Sequence, residues 1–174
     1  QGKYDLHTDY ILKAISIYEL VNAKPKQAAA YASLGYSIKR RNLPKALSYM
    51  QKGETLAEHQ KLEFELRAIY DNYGVLKEMQ NDNDSALFFY NKGLALKEKG
   101  KDSLGIPYSL SHIAGIYAIK KKYADAKSNY DRALNIRKIR NDRIGMAENY
   151  QNLGELYFLQ GKYKDAISYY NQSL

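Results

Sequence analysis

Apolar residues recur at three- and four-residue spacing along nearly the whole chain, the period of helices that bury one face. Lys127–Ile139 is typical, with Tyr130, Ala133, Leu134, Ile136 and Arg137 on that rhythm. Sustained alternation of apolar and polar residues, the strand signal, is missing. Short polar breaks interrupt the pattern at Asn22–Pro25, Arg41–Pro44, Asn81–Asp84, Gly100–Ser103, Lys120–Lys122, Asn141–Asp142 and Gly161–Lys162. Such clusters carry turn and N-cap chemistry, and Pro44 suits the first turn of a helix. The pattern predicts an all-α chain of about nine helices, over 4–21, 26–40, 44–60, 63–80, 84–100, 103–120, 123–140, 143–160 and 163–174. Connections of two to six residues force successive helices to pack antiparallel.

Four alanines, Ala46, Ala86, Ala126 and Ala166, stand forty residues apart, and each opens a similar phrase ending in an aromatic or methionine: Tyr49-Met50, Phe89-Tyr90, Asn129-Tyr130 and Tyr169-Tyr170. A fixed period of this length means stacked copies of one supersecondary unit, an α-solenoid of helix pairs. The chain therefore reads as a single solenoid domain over 1–174. Residues 1–22 are the second helix of a preceding repeat, followed by repeats at 26–61, 62–101, 102–141 and 142–174, the last truncated. On this reading the chain is a piece cut from a longer array.

The columns around the ladder resemble the tetratricopeptide repeat, with its Trp-x-x-Leu-Gly-x-x-Tyr phrase followed by small and aromatic residues at fixed offsets. The clearest copy is Tyr150, Leu153, Gly154, Tyr157, Ala166, Tyr170 and Ser173. Earlier copies give Leu110, Ile113, Ala114, Tyr117 and Ala126; Tyr70, Tyr73, Gly74 and Ala86; and Tyr31, Leu34, Gly35, Ile38 and Ala46. Tyr4, Ile11 and Ala14 match the second half of a unit, with His7 in place of an alanine. The resemblance implies a right-handed superhelical stack of antiparallel helix pairs with a concave ligand groove. The period of forty exceeds the common 34, and the proline that usually ends the second helix is absent. In this respect the chain resembles the long repeats of bacterial peptide-sensing regulators, sensor regions of histidine kinases, kinesin light chains and Pins-type adaptors. The first copy is one residue short between Gly35 and Ala46, which predicts a tighter turn there. Lys77 falls in a column otherwise held by Ile38, Tyr117 and Tyr157; its stem is expected to pack while its ammonium reaches out.

Composition narrows the functional classes. The 174 residues carry a net charge of +8 and no cysteine, which excludes disulfides, thiolate metal sites and cysteine nucleophiles. No segment has the run of about 18 uncharged apolar residues of a membrane span, and no secretory signal is visible. A soluble chain of this kind suits the cytoplasm and the periplasm alike. Charge alternates along the repeats, at +5, −1, +5 and −1 over 1–61, 62–101, 102–141 and 142–174. A phosphate-gripping arm would be more concentrated.

Of the eighteen tyrosines, twelve, from Tyr4 through Tyr163 and Tyr170, occupy signature columns and are expected in the core. Tyr10, Tyr49, Phe89 and Tyr169 form a further stripe, expected between repeats. The remaining face of the first helices forms the candidate ligand groove. It includes Tyr36, Arg40, Asn72, Tyr108, His112, Asn152, Glu155 and Phe158, with Ala32, Asp71 and Ala118 on the same face. Among relatives of this kind, asparagines at positions like Asn72 and Asn152 bind a ligand backbone, whereas the carboxylate clamp for chaperone tails is not reproduced. His7, His59 and His112 lie on separate repeats, so no metal set is expected. Asn81–Asp84 lacks the glycine and distant glutamate of a calcium loop, and Gly93…Lys101 lacks P-loop spacing. No nucleophile–base–orienter set assembles, and no cofactor is implied. The expected function is a non-catalytic protein- or peptide-binding scaffold, the sensing or regulatory region of a larger bacterial signalling protein. The alternative is a nucleic-acid-binding repeat using Lys39–Arg41, Lys120–Lys122 and Arg137–Lys138.

Overall fold

The computed structural model describes residues 2–174, with side chains from Leu6 onward. Tyr4, expected in the core, lies outside the described side chains. Among the described residues there are nine helices and no strand: α1 (Gly2–Leu20), α2 (Lys24–Ile38), α3 (Leu43–His59), α4 (Glu63–Met79), α5 (Asn83–Lys99), α6 (Gly105–Ile119), α7 (Tyr123–Ile139), α8 (Arg143–Leu159) and α9 (Tyr163–Gln172). Each predicted helix is present, with its ends within two residues of the expected bounds.

The turns explain why so few residues suffice between helices. Seven of the eight connections place one residue in the left-handed region: Asn22, Lys61, Asn81, Lys101, Lys121, Asn141 and Gly161. Each closes its helix with a Schellman pair of backbone bonds, as when Asn141 and Asp142 donate to the carbonyls of Lys138 and Arg137. Several of the helices that follow are capped by a side chain. Asp82, Asp102 and Asp142 accept from the backbone N–H groups of Ser85, Gly105 and Gly145 at 3.1, 2.8 and 2.9 Å. Asn81–Asp84 is therefore turn and cap chemistry.

The connection from α2 to α3 differs. It has no left-handed residue, and the N–H groups of Arg41 and Asn42 both donate to Ile38. The residue missing from this copy comes off the end of α2, which stops at Ile38, rather than from the turn. The expectation of a tighter turn is corrected in that respect. Asn42 then caps α3 by accepting from Lys45 at 3.0 Å.

The chain divides into two compact units, residues 1–96 and 97–174. In the first, α2 pairs with α3, α4 packs on both, and Leu34, Met50, Ile69, Leu76 and Tyr90 are fully buried. In the second, α6 pairs with α7 and α8 with α9 around Leu110, Ile116, Leu153 and Leu156. All four ladder alanines are buried. They face the small residues of the partner helix because the two backbones nearly touch. A Cβ added to Gly35 would lie 2.7 Å from the Ala46 carbonyl oxygen. At Gly74 and Gly154 the space is filled instead by the rings of Tyr90 and Tyr170.

Two expectations about tyrosines change. Tyr163 is exposed, because it opens α9 at the edge of its pair. The Tyr49–Phe89–Tyr169 stripe packs within helix pairs, not between repeats. Tyr49 stacks on Tyr31, Phe89 on Tyr73 and Tyr169 on Tyr157, with ring centroids 6.4, 4.3 and 5.1 Å apart. Tyr10 of the same stripe is exposed. Lys77 behaves as anticipated: its ammonium reaches Gln80 at 3.2 Å and Asp82 at 4.0 Å.

Candidate functional site: the exposed faces of the first helices

In the N-terminal unit, α2 and α4 leave a cleft of about 420 Å³ between them. Its α2 wall is Ala29, Ala32, Ser33, Tyr36 and Ser37, and its α4 wall includes Phe64, Ala68, Ile69 and Asn72. Both sets recur at three- and four-residue spacing, so each is one face of its helix. The lining combines the small apolar Ala29, Ala32 and Ala68 and the larger Phe64 and Ile69 with the polar Ser33, Tyr36, Ser37, Glu65 and Asn72, a composition suited to a side-chain-sized ligand group. The Lys39 ammonium lies 3.3 Å from the Tyr36 ring centroid, so one face of that ring is already covered by a cation. Arg40 stands exposed one turn beyond.

In the C-terminal unit, Tyr108 and His112 lie one turn apart on α6 with rings edge to face at 4.8 Å. Asn152 and Glu155 of α8 share a second cleft, of about 530 Å³, with Gln151, Tyr170 and Asn171. Tyr170 donates to Glu155 at 3.1 Å; burial first, then this carboxylate, holds the Tyr170 hydroxyl above its usual range. Phe158 is exposed and meets Tyr163 edge to face at 5.5 Å. The residues singled out from the sequence thus fall into separate groups: Tyr36 with Asn72, Tyr108 with His112, Asn152 with Glu155, and Phe158 with Tyr163.

Three residues assigned to the open face are buried. Ala32 forms the floor of the α2–α4 cleft, and Ala118 is enclosed. The Asp71 carboxylate lies 3.0 Å from where a Cβ on Gly93 would be, between α4 and α5. Sequence reasoning also missed Phe64 and Ala68, which complete the cleft. Helical spacing from Asn72 would have found both. Arg137 is buried too, so of the basic pair Arg137–Lys138 only the lysine is presented to solvent.

Among the described residues no group of three or more His, Asp or Glu side chains converges as a metal site. No helix of the described residues is long and apolar enough to cross a membrane.

Residues 106–174 match the tetratricopeptide repeat family model. No curated protein sequence matches the chain. Among solved structures, BtubC from P. vanneervenii superposes with a TM-score of 0.87 at 16% identity, covering 99% of this chain and 72% of that one. A signal transduction ATPase (STAND) protein with a tetratricopeptide repeat sensor, from Pyrococcus horikoshii, gives 0.81 at 20% identity, over 97% of this chain and 27% of that one. A putative kinesin light chain from Podospora anserina gives 0.77 at 13% identity, over 99% and 86%. Likeness at such identities concerns the fold. Tetratricopeptide repeats generally mediate protein–protein interaction, and the fold is typically a non-catalytic scaffold. Residues 106–174 thus match the tetratricopeptide repeat in sequence, and the described residues have the all-α, tetratricopeptide-repeat-like solenoid fold over nearly the whole length of the chain.

Proposed function

We propose that the chain is a peptide-binding scaffold whose ligand sits on the exposed faces of the first helices, with the α2–α4 cleft as its main pocket. The observation that carries this reading is the cleft itself, where Tyr36 and Asn72 flank small apolar walls. A ligand side chain filling it would be fixed by apolar contact, and Asn72 would hydrogen-bond the ligand backbone. On the C-terminal unit by itself, Tyr108, His112, Asn152, Glu155 and Phe158 would offer further recognition groups. We read the forty-residue ladder as one continuous array over 1–174. The array would serve as the sensing region of a larger bacterial signalling protein; the likeness to the sensor-bearing STAND protein is consistent with the sensing part of this reading.

The test begins with peptides selected from a random displayed library against the chain, their affinities measured by fluorescence anisotropy. Ala68→Arg plugs the cleft from an exposed position and Asn72→Ala removes its amide. Both should weaken binding by about tenfold or more, the loss of one to two good contacts, with melting unchanged. Selected peptides that bind Ala68→Arg undiminished would place the ligand elsewhere. Sensing would show as altered output of the full-length protein carrying Ala68→Arg.

A further inference from the structure

Two turns of the C-terminal unit, those joining α6 to α7 and α8 to α9, lie side by side: the Tyr123 hydroxyl opening α7 donates to the Leu159 carbonyl closing α8, at 3.4 Å. Around them stand four bulky apolar side chains: Ile119, Phe158, Leu159 and Tyr163 are 64%, 51%, 48% and 60% exposed. Phe158 and Tyr163 support each other edge to face. The same two turns carry Lys120, Lys121, Lys122, Lys162 and Lys164, against the carboxylates of Asp125 and Asp165 in the first turns of α7 and α9. The Lys122 and Lys162 ammonium groups lie 5.9 and 5.6 Å from the Tyr117 and Tyr157 ring centroids.

We propose that this edge docks onto an anionic lipid bilayer surface, a reading that shares only Phe158 with the peptide groove. Exposed apolar side chains ringed by lysines are what an interface of headgroups and acyl chains selects. The aliphatic and aromatic groups enter the boundary while the ammonium groups stay among the phosphates. Duplex nucleic acid fits less well. Phosphate contacts would use the lysines but give Ile119 and Leu159 no partner, and arginine, the usual reader of base edges, is absent from these turns. The matching α4–α5 turn of the N-terminal unit has the opposite character, Asn81, Asp82, Asn83 and Asp84. The α2–α3 turn is basic, with Lys39, Arg40 and Arg41, but has no exposed bulky apolar side chain beside it. Among the turns that join the two helices of a pair, the combination of lysines with exposed apolar groups is therefore particular to the C-terminal unit.

The experiment is co-sedimentation of the chain with vesicles of phosphatidylcholine alone, or with about 30 mol% phosphatidylglycerol, an anionic content typical of cell membranes. The expected result is about tenfold stronger retention on the anionic vesicles, weakening at high salt as charges are screened. Ile119→Glu/Leu159→Glu, at two exposed positions, should abolish retention with an unchanged melt, and Lys120→Gln/Lys121→Gln/Lys122→Gln should remove the preference for anionic lipid. Equal retention on both vesicles, no retention, or full retention of the glutamate variant overturns the proposal. Lysine-dependent shifting of duplex DNA or RNA without vesicle retention would assign the same lysines to nucleic acid, and overturn it equally.

Discussion

Arg137 on α7 donates to the Asn149 side-chain oxygen on α8 at 3.0 Å, and the Asn149 amide donates in turn to the Tyr130 carbonyl on α7 at 2.9 Å. The guanidinium also bonds the Gly145 carbonyl at 2.7 Å. Glycine at 145 leaves it room: a Cβ there would lie 2.8 Å from Arg137 Nε and closer still to the capping Asp142 carboxylate. One repeat earlier Lys97 donates to Ser109 at 2.7 Å, with Gly105 again making room. Two repeats earlier the same columns hold Ala57 and Ile69, both buried. Helix junctions of this chain are thus keyed by either an apolar pair or a buried cation with a glycine and a small acceptor.

Arg137→Ala should cost about 3 kcal/mol, from an unpaired buried acceptor and an unfilled space. Arg137→Ala/Asn149→Ile, which copies the Ala57 and Ile69 set, should recover about 1 kcal/mol or more by removing that acceptor. Urea unfolding of the two variants checks this, and a double variant no more stable than the single one would contradict the key.

Glycines of one sequence type should respond in opposite directions. Gly35→Ala drives a Cβ into backbone and should destabilise by about 1–3 kcal/mol. Gly115→Ala meets nothing closer than the Tyr130 hydroxyl at 3.8 Å and should stabilise α6 by about 0.5–1 kcal/mol through helix propensity alone. Thermal melts of both variants read the two signs directly.

Gln27 is buried with its side-chain oxygen unsatisfied, in the column filled elsewhere by Leu66, Ile106 and Met146. Replacing it by leucine removes that orphan acceptor and should raise stability by about 1–2 kcal/mol. A melting temperature that falls would show that the amide is satisfied in solution.

Burial, with the Glu54 carboxylate second, pushes the Tyr73 hydroxyl up from 10.0 to about 12; its proton is donated to Gln51 at 2.8 Å. A folded pKa raised above the unfolded one gives stability that is complete below pH 10 and lost as pH rises toward about 12. Tyr70 and Tyr169 are raised in the same direction, chiefly by burial. Alkaline unfolding should therefore steepen above pH 10, and Tyr73→Phe should be less sensitive there. Tyrosinate absorbance that develops fully before the helical signal is lost would contradict it.

Periodicity alone revealed the helices, the ladder and the close crossings, because one face per helix is buried and small residues must recur where backbones touch. What it could not rank was neighbours. Spacing put Tyr49 and Tyr169 on a packed stripe but could not say that each stacks on its own pair partner. Arg137 sits on the apolar rhythm, yet its charge suggested surface; the glycines at 105 and 145 were the available sign that a long side chain enters there. The candidate site was legible in part, since Tyr36 and Asn72 share a cleft whose other wall residues, Phe64 and Ala68, carry no motif.

The seven alike turns make the chain divisible. A cut inside one and a splice inside the next leave matching backbone ends, so whole repeats can be gained or lost without new loop geometry; only the α2–α3 connection is out of phase. The junction keys then decide which exchanges survive. Deleting 102–141 would set Lys97 against Gly145 and Asn149, a workable match. Deleting 62–101 would set Ala57 against Gly105 and Ser109, leaving a hole where the Lys97 stem had lain. Shortening by recombination is open at one joint and penalised at the other.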